Sequence, residues 1–421
     1  MIATGIDSKT AMALEEKYGA HNYHPLPVVL ERGEGVYVWD PEGKKYFDFL
    51  SAYSAVNQGH CHPKIVGALT EQASKLSLVS RAFYSDNLGS FEKYATETFG
   101  FDKILMMNSG AEAVETALKL TRKWAYEVKG VSANEAKIVT CKENFHGRTS
   151  SIVSFSTDPV AKNNFGPYMP GFLTIDYNDA DALETMLASD PNIAGFLVEP
   201  IQGEAGVFVP SEEYLTRCRE ICSKYNVLFI ADEVQTGIAR TGRLLATCGN
   251  CSCENKNCSG TPEVKPDILI LVKAISGGAY PVSAVLANDE IMLCIKPGEH
   301  GSTYGGNPMA CAVAHAALEV IKNEKLADNA ERLGKIFRAE MEAIDHPMID
   351  IVRGKGLLNA VIIKPLNGKV AWDVCVALRD NGLLAKPTHD HIIRFAPPLV
   401  ITEEQLMECV AIIRKTIESF Q

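Results

Sequence analysis

The sequence predicts an α/β protein. A mostly parallel, mixed sheet flanked by helices forms a large domain, preceded by an N-terminal arm and followed by a smaller α+β C-terminal domain. Three observations carry this. Through the middle of the chain, short apolar runs alternate with segments of helical periodicity, the signature of βαβ units with helices on both faces of the sheet. After about residue 309 the alternation gives way to a long helical stretch and then short strands. The first fifty-odd residues contain "VYVWDPEGKKYFDFL", which reads as a hairpin in an arm.

In order, the expected strands are "KILMMN" (103–108), "AKIVTCKENF" (136–145), "GFLTID" (171–176), "IAGFLVEP" (193–200), "NVLFIADE" (226–233), "DILILVK" (267–273) and "PVSAVLAN" (281–288). Between them, "GAEAVETALKLTRKWAYEVK" has apolar residues at helical spacing and its positive charge late, as the helix dipole prefers. "DADALETMLAS" opens with acids, and "SEEYLTRCREICSKY" follows Pro210 with Ser211 as its expected N-cap. Beyond residue 305, "GNPMACAVAHAALEVIKNEKLADNAERLGKIFRAEMEAI" reads as the long helical stretch. Short strands follow around "IVRGKGLLNAVII" and "IIRFAPP", and a last helix starts from Glu403. The expected division is an arm over 1–55, a large domain over 56–308 with a cysteine-rich insertion at 247–263, and a helix plus small domain over 309–421.

Composition narrows the function. The chain has 421 residues, 46% hydrophobic and 22% charged, which is ordinary for a folded enzyme-sized protein. Its formal charge of −11 argues against nucleic acid or an anionic membrane as partner. No apolar run approaches membrane-spanning length. The N-terminus lacks both a signal-peptide core and the Arg-rich look of a transit peptide, so the expected location is the cytosol, with the mitochondrial matrix as the alternative if a presequence was removed. Eight of the twelve cysteines are scattered through apolar or helical stretches, as expected of reduced thiols.

The chemistry begins where apolar strands run into charge. "DILILVK" ends on Lys273, and "VLFIADE" delivers Asp232. In open α/β sheets ligands sit beyond the carboxyl ends of the strands, so both groups converge on one pocket. "ILMMNSGAEA" passes from strand through Asn-Ser-Gly into a helix, whose first amides suit a phosphate. A phosphate, a ring that wants a carboxylate and an aldehyde for a lysine describe pyridoxal phosphate. Its phosphate would lie on residues 109–111, its ring nitrogen beside Asp232, and its aldehyde on Lys273, whose amine burial makes nucleophilic.

The chain resembles the class III, fold type I pyridoxal-phosphate aminotransferases, and within them the branch acting on the δ-amine of ornithine. The resemblance runs from "YGAHNYHPLPVVLERGEGVYVWD" to "RFAPPLVI". It is carried by "YSAVNQGHCHPKI", "NSGAEAVETALKL", "NFHGRT", "VEPIQGEAGV", "ADEVQTGIARTG", "KAISGGAYPVSAV" and "GEHGSTYGGNP". It implies that Lys273 holds the cofactor and then shuttles a proton, and that Asp232 pairs with the ring nitrogen. Gln235 would meet the phenolic oxygen, Phe145 would stack on the ring, and Val234 and Glu199 would support these contacts. Ser109, Gly110 and Ala111 would hold the phosphate, and Thr303 would reach that of a neighbouring subunit, so a homodimer or larger homo-oligomer with shared active sites is expected.

For substrate, the resemblance puts Tyr23 and Arg148 on the α-carboxylate of ornithine and Arg394 on that of glutamate. Glu204 would cover Arg394 while ornithine is bound, and Tyr53 would shape the pocket. The implied reaction is ping-pong transfer of the δ-amino group of L-ornithine to 2-oxoglutarate. Its products would be L-glutamate and glutamate 5-semialdehyde, which cyclises to pyrroline-5-carboxylate. The rivals are N-acetylornithine or 4-aminobutyrate as donor on the same scaffold, or a catalytically silent redox- or metal-sensing protein.

Two features depart from the family pattern. Val272, before the lysine, stands where the family usually has a small residue. The insertion "TCGNCSCENKNCSGTPEVKP" carries Cys248, Cys251, Cys253 and Cys258. A structural thiolate metal site, disulfides or neither remain open for it. His60 and His62 in "GHCHP" have metal-like spacing, but nothing nearby completes a ligand shell, and they read as turn or interface residues.

Overall fold

The computed structural model describes residues 5–248 and 264–420. Among these residues the strands form three sheets. The arm supplies β1 (Arg32–Glu34), β2 (Tyr37–Trp39) and β3 (Lys45–Asp48), an antiparallel meander. The seven strands expected in the middle all form: β4 (Lys103–Met107), β5 (Lys137–Cys141), β6 (Phe172–Ile175), β7 (Ile193–Val198), β8 (Leu228–Asp232), β9 (Ile268–Leu271) and β10 (Ser283–Ala287). They make one sheet in the order β4-β10-β9-β8-β7-β5-β6. Only β10 runs against the rest, antiparallel to both β4 and β9. Strands β7, β8 and β9 are buried along their whole length, which is why they read as continuous apolar runs and not as alternating ones.

This topology brings the carboxyl ends of β4, β5, β7, β8 and β9 to one edge. Asp232 pairs with Ile270 and Val198 with Ala231 in the ladders there. Each strand is shorter than expected, and two of the differences concern the site. The run 136–145 stops at Cys141 because Glu143 turns left-handed (φ 57°), folding Phe145 and His146 back over the sheet edge. Strand β9 stops at Leu271. Lys273 opens a short 3-10 turn, Lys273–Ser276, with φ 47°, a conformation rare outside glycine.

Two helix expectations need correction. Ser211 is not an N-cap: its hydroxyl bonds Asn178 at 3.0 Å, a turn intervenes, and the helix starts at Tyr214. The long C-terminal stretch is two helices, Pro308–Asn323 and Leu326–Glu342, broken where Lys325 adopts φ 52°. Asp179 caps Ala180–Ser189 by accepting from the Ala182 amide at 2.8 Å.

The C-terminal strands are β11 (Ile349–Lys355), β12 (Leu358–Ile363), β13 (Leu383–Leu384), β14 (Lys386–Thr388) and β15 (Ile392–Phe395). Strand β13 pairs with β3, so the arm and the C-terminal residues share a sheet. The third sheet, β11-β12-β15-β14, carries Arg394 on β15. One wholly buried side chain fastens these parts. Arg240 donates to Asn57 Oδ1 at 2.6 Å, Leu357 O at 3.0 Å and Pro397 O at 2.6 Å. With no carboxylate in hydrogen-bond contact among the described residues, burial pushes its pKa down to about 9.

Candidate active site

The floor of the site is built from strand ends. Asp232, at the last position of β8, is 3% exposed. Its Oδ1 accepts from the Val234 amide at 3.0 Å, and its Oδ2 lies 2.6 Å from His146 Nδ1. Burial alone would strip the proton from His146, but the bond to Asp232 and that residue's charge outweigh it, and its pKa rises. Glu199, just beyond β7, accepts from the Phe145 amide at 3.1 Å. Burial lifts its pKa to about 7 against the opposing pull of His146. Lys273 faces this group. Burial, and then the charge of Arg394, lower its pKa to about 8, with Glu204, Asp232 and Glu199 pulling the other way. A substantial fraction of its amine is therefore neutral near pH 8.

An anion pocket opens beside the floor. Ser109 N-caps the helix Gly110–Trp124 in a capping box with Glu112, which leaves the Gly110 and Ala111 amides facing out of the helix N-terminus. A Cβ at Gly110 would lie 3.9 Å from Val234 and 4.0 Å from Val272, so the helix start, the Asp232 loop and the lysine turn meet here.

The other wall holds the substrate candidates. Arg394 is buried and makes a two-armed contact with Glu204, Nη1 to Oε2 at 2.9 Å and Nη2 to Oε1 at 3.4 Å. The same Nη1 also reaches Gln235 Oε1 at 3.3 Å. Its guanidinium lies 4.9 Å from the centroid of the Tyr53 ring. Tyr53 sits in a turn whose four residues, Ser51 to Ser54, all have positive φ. Burial raises its phenol pKa, Arg394 and Arg148 lower it, and Glu204 and Tyr23 raise it. The four other substrate candidates therefore lie within electrostatic reach of its hydroxyl. Arg148 is exposed, with its guanidinium 5.9 Å from the Phe145 ring centroid, and Tyr23 is exposed on the arm.

With this geometry in hand, the comparisons decide the family. The sequence model of "Aminotransferase class-III" matches residues 18–417. The chain belongs to the class-III aminotransferases. The mitochondrial ornithine aminotransferase of Drosophila melanogaster is 62% identical over 99% of this chain and 93% of its own. Among solved structures, an acetylornithine aminotransferase from Elizabethkingia anophelis is 60% identical, with TM-score 0.87 and coverage of 99% of this chain and 100% of its own. An ornithine aminotransferase from Toxoplasma gondii, whose structure has pyridoxal phosphate partly occupying the active site, is 47% identical, with TM-score 0.92 and coverage of 98% and 94%.

Class-III aminotransferases use pyridoxal phosphate, and the residues here fit it. A helix N-terminus stands ready for the phosphate, and a buried carboxylate and an amine of lowered pKa stand at the same sheet edge. Two buried nitrogens in this region, His146 Nε2 and Arg394 Nε, have no partner among the described residues.

The structure gathers Lys273, Asp232, Glu199, Phe145, Val234, Gln235, Ser109, Gly110 and Ala111 at one sheet edge, with Glu204, Arg394, Tyr53, Arg148 and Tyr23 alongside. Thr303 is exposed, and its neighbour Ser302 accepts from Asn108 at 2.8 Å. Sequence reasoning missed His146. It stands next to Phe145 in "NFHGRT", but nothing in the sequence places the turn after β5 against the end of β8, two strands away. His60 bonds Asp48 at 2.7 Å and His62 bonds Glu324 at 3.1 Å, in keeping with structural roles. No group of metal-ligating side chains occurs among the described residues. Cys251, Cys253 and Cys258 lie outside the described residues, and Cys248 is buried at the near end of the insertion.

Proposed function

We propose that this protein transfers the δ-amino group of L-ornithine to 2-oxoglutarate by a ping-pong route. It releases glutamate 5-semialdehyde, which cyclises to pyrroline-5-carboxylate, and then L-glutamate. The observation that carries this reading is the Arg394–Glu204 fork beside Lys273. A δ-aminotransferase must bind a substrate whose carboxylate lies far from the reacting amine and another whose carboxylate lies close to it. An arginine near the reaction centre serves the second and misdirects the first. Pairing it with a carboxylate that can leave solves the conflict, since an arginine stripped of any partner in a buried wall would cost about 3–5 kcal/mol. Glu204 can leave because its side chain is one-third exposed, whereas that of Arg394 is 5% exposed.

When bound, pyridoxal phosphate supplies an aldehyde that takes up the amino group and a protonated ring that withdraws electrons. Ser109 and the Gly110 and Ala111 amides would hold its phosphate, and Phe145 would cover its ring. Asp232, braced by His146, would keep the ring nitrogen protonated, with Gln235 at the phenolic oxygen and Val234 and Glu199 in support. Lys273 Nζ would hold its aldehyde and, as a free amine, would take the proton from the substrate's δ-carbon. Arg148 and Tyr23 would grip the ornithine α-carboxylate, with Tyr53 closing the pocket between them and Arg394. When 2-oxoglutarate enters, Glu204 gives way and Arg394 takes the carboxylate next to the keto group, which becomes the α-carboxylate of glutamate.

We also propose a homodimer in which Thr303 reaches the partner's cofactor phosphate. Phe83 and Tyr84, at 71% and 101% exposure, suit burial against a second copy. The division into arm, large domain and small domain puts Arg394 on the last of these. We assign the protein to the cytosol or, in line with the name of the Drosophila relative, to the mitochondrial matrix. No helix among the described residues is long and apolar enough to cross a membrane.

A second reading takes N-acetylornithine as donor, on the strength of the 60% identical Elizabethkingia protein. Tyr23 argues against it, since that side chain would meet the free amino-acid head that acetylation masks. Ornithine, N-acetylornithine and 4-aminobutyrate compared in one assay test the proposal. Ornithine should give the highest kcat/KM, and either rival exceeding it overturns the substrate assignment. A yellow protein that bleaches on addition of ornithine excludes the silent alternative.

A further inference from the structure

The helix Gly110–Trp124 does two jobs. Its N-terminus forms the anion pocket. Along one face, residues at helical spacing hold the loop that carries Thr303. Asn108, just before the cap, donates one Nδ2 hydrogen to Glu112 Oε1 at 3.1 Å and the other to Ser302 Oγ at 2.8 Å. Glu112 in turn holds the amides of Asn108 and Ser109 and the Ser109 hydroxyl. One turn on, Thr116 accepts from His300 Nε2 at 2.7 Å, and Lys119 donates to His300 Nδ1 at 2.9 Å. A further turn on, Lys123 pairs with Glu299 at 3.0 Å. At the far end of the loop, Gly305 lies so close to β4 that a Cβ there would stand 2.4 Å from Met106 O. The loop is clamped at both ends, while Thr303 between them is exposed.

We infer that Asn108 is a positioning residue that ties each subunit's own phosphate pocket to the Thr303 loop serving its partner. This rests on the reading that Thr303 reaches the partner's phosphate. The Ser109 hydroxyl now donates to Glu112, and a phosphate on Ser109 would compete for that hydrogen. Any adjustment of Glu112 passes through the Asn108 side chain to Ser302 and its neighbour. Filling one pocket thus settles the loop that completes the other.

The test is a thermodynamic cycle on cofactor affinity. Dimeric, cofactor-free protein is titrated with pyridoxal phosphate and followed by the absorbance of the bound cofactor. Thr303→Ala should weaken binding about tenfold and Asn108→Ala about fivefold, the scale of one hydrogen bond each. If Asn108 acts through the loop, the double variant binds no worse than Thr303→Ala alone. If the two losses multiply, Asn108 acts only on its own pocket and the inference is overturned. Ser302→Ala breaks the same link from the loop side and carries the same comparison if Asn108→Ala does not fold. Light scattering distinguishes the underlying reading. A monomer, or an intact dimer in which Thr303→Ala binds cofactor normally, removes the shared-site proposal itself. A dimer in which Thr303→Ala binds weakly but the losses multiply removes only the coupling.

Discussion

Arg394 and Glu204 meet as a fork, with nitrogen–oxygen distances of 2.9 and 3.4 Å, on the wall of the pocket that holds Lys273. The arginine is fixed: it lies on β15, in register with Ala360 and Lys386 of the neighbouring strands, and is bonded to Gln235. The glutamate is held more loosely, on the loop after β7, where Thr388 Oγ1 donates to its backbone oxygen at 3.3 Å. The asymmetry makes the carboxylate the moving part.

Glu204→Ala should therefore uncover Arg394 permanently. Amino acids presenting an α-amine should react about tenfold faster, because a charge-assisted fork becomes available to them without competition. Ornithine should lose selectivity for its δ-amine. Single-turnover rates with ornithine and glutamate read both effects. Unchanged partitioning between the two amines would remove the gate.

The sequence made the central sheet legible because its buried strands are short apolar runs bounded by turns. It also made Lys273 and Asp232 legible, because charge at the end of such a run is unusual. Backbone conformation was not legible. Lys273 lies past its strand in a left-handed turn, and Tyr53 sits among four residues of positive φ, none of them glycine. Nothing in "SAYS" announces that conformation; it is imposed from outside, by Asp48 accepting from the amides of Leu50 and Ser51 and by the Ser51 hydroxyl on Ala396 O. The break at Lys325 was hidden for the same reason, since no glycine or proline marks it. The substrate residues came from family resemblance, because spacing alone cannot bring positions 53, 204 and 394 together.

Arg148→Ala should raise KM for ornithine about a hundredfold while leaving the glutamate half-reaction within about threefold. A lost charge-assisted contact to carboxylate is worth about 1.5–3 kcal/mol, and only ornithine would make it. Separate half-reaction kinetics measure this. Equal damage to both halves would assign Arg148 to the scaffold, through its contact with the Phe145 ring.

His146→Phe removes the partner of a buried carboxylate. Asp232 would keep the Val234 amide but lose the bond at 2.6 Å, and with it the contact that fixes the orientation of its carboxylate. Turnover should fall about tenfold, with weaker retention of cofactor. His146→Asn, which still offers an N–H toward Asp232, should recover most of the loss. Full turnover in the phenylalanine variant would show that Asp232 needs no brace.

The pH dependence of stability should show Glu199. Burial raises its pKa from the ordinary glutamate value of 4.5 to about 7 in the folded chain. Between those values the native state binds a proton that the unfolded state does not. Its contribution is fully present below about pH 4.5 and is lost as pH rises through about 7. Glu199→Gln keeps an oxygen for the Phe145 amide but cannot ionise. Cofactor-free variant and parent should therefore melt alike near pH 4, as far as this group is concerned, and diverge as pH increases, the variant gaining up to about 3 kcal/mol above pH 7. Thermal melts across that range check it. A difference independent of pH, or one that shrinks toward pH 8, would mean that Glu199 is ionised throughout and that His146 and Lys273 compensate its burial fully.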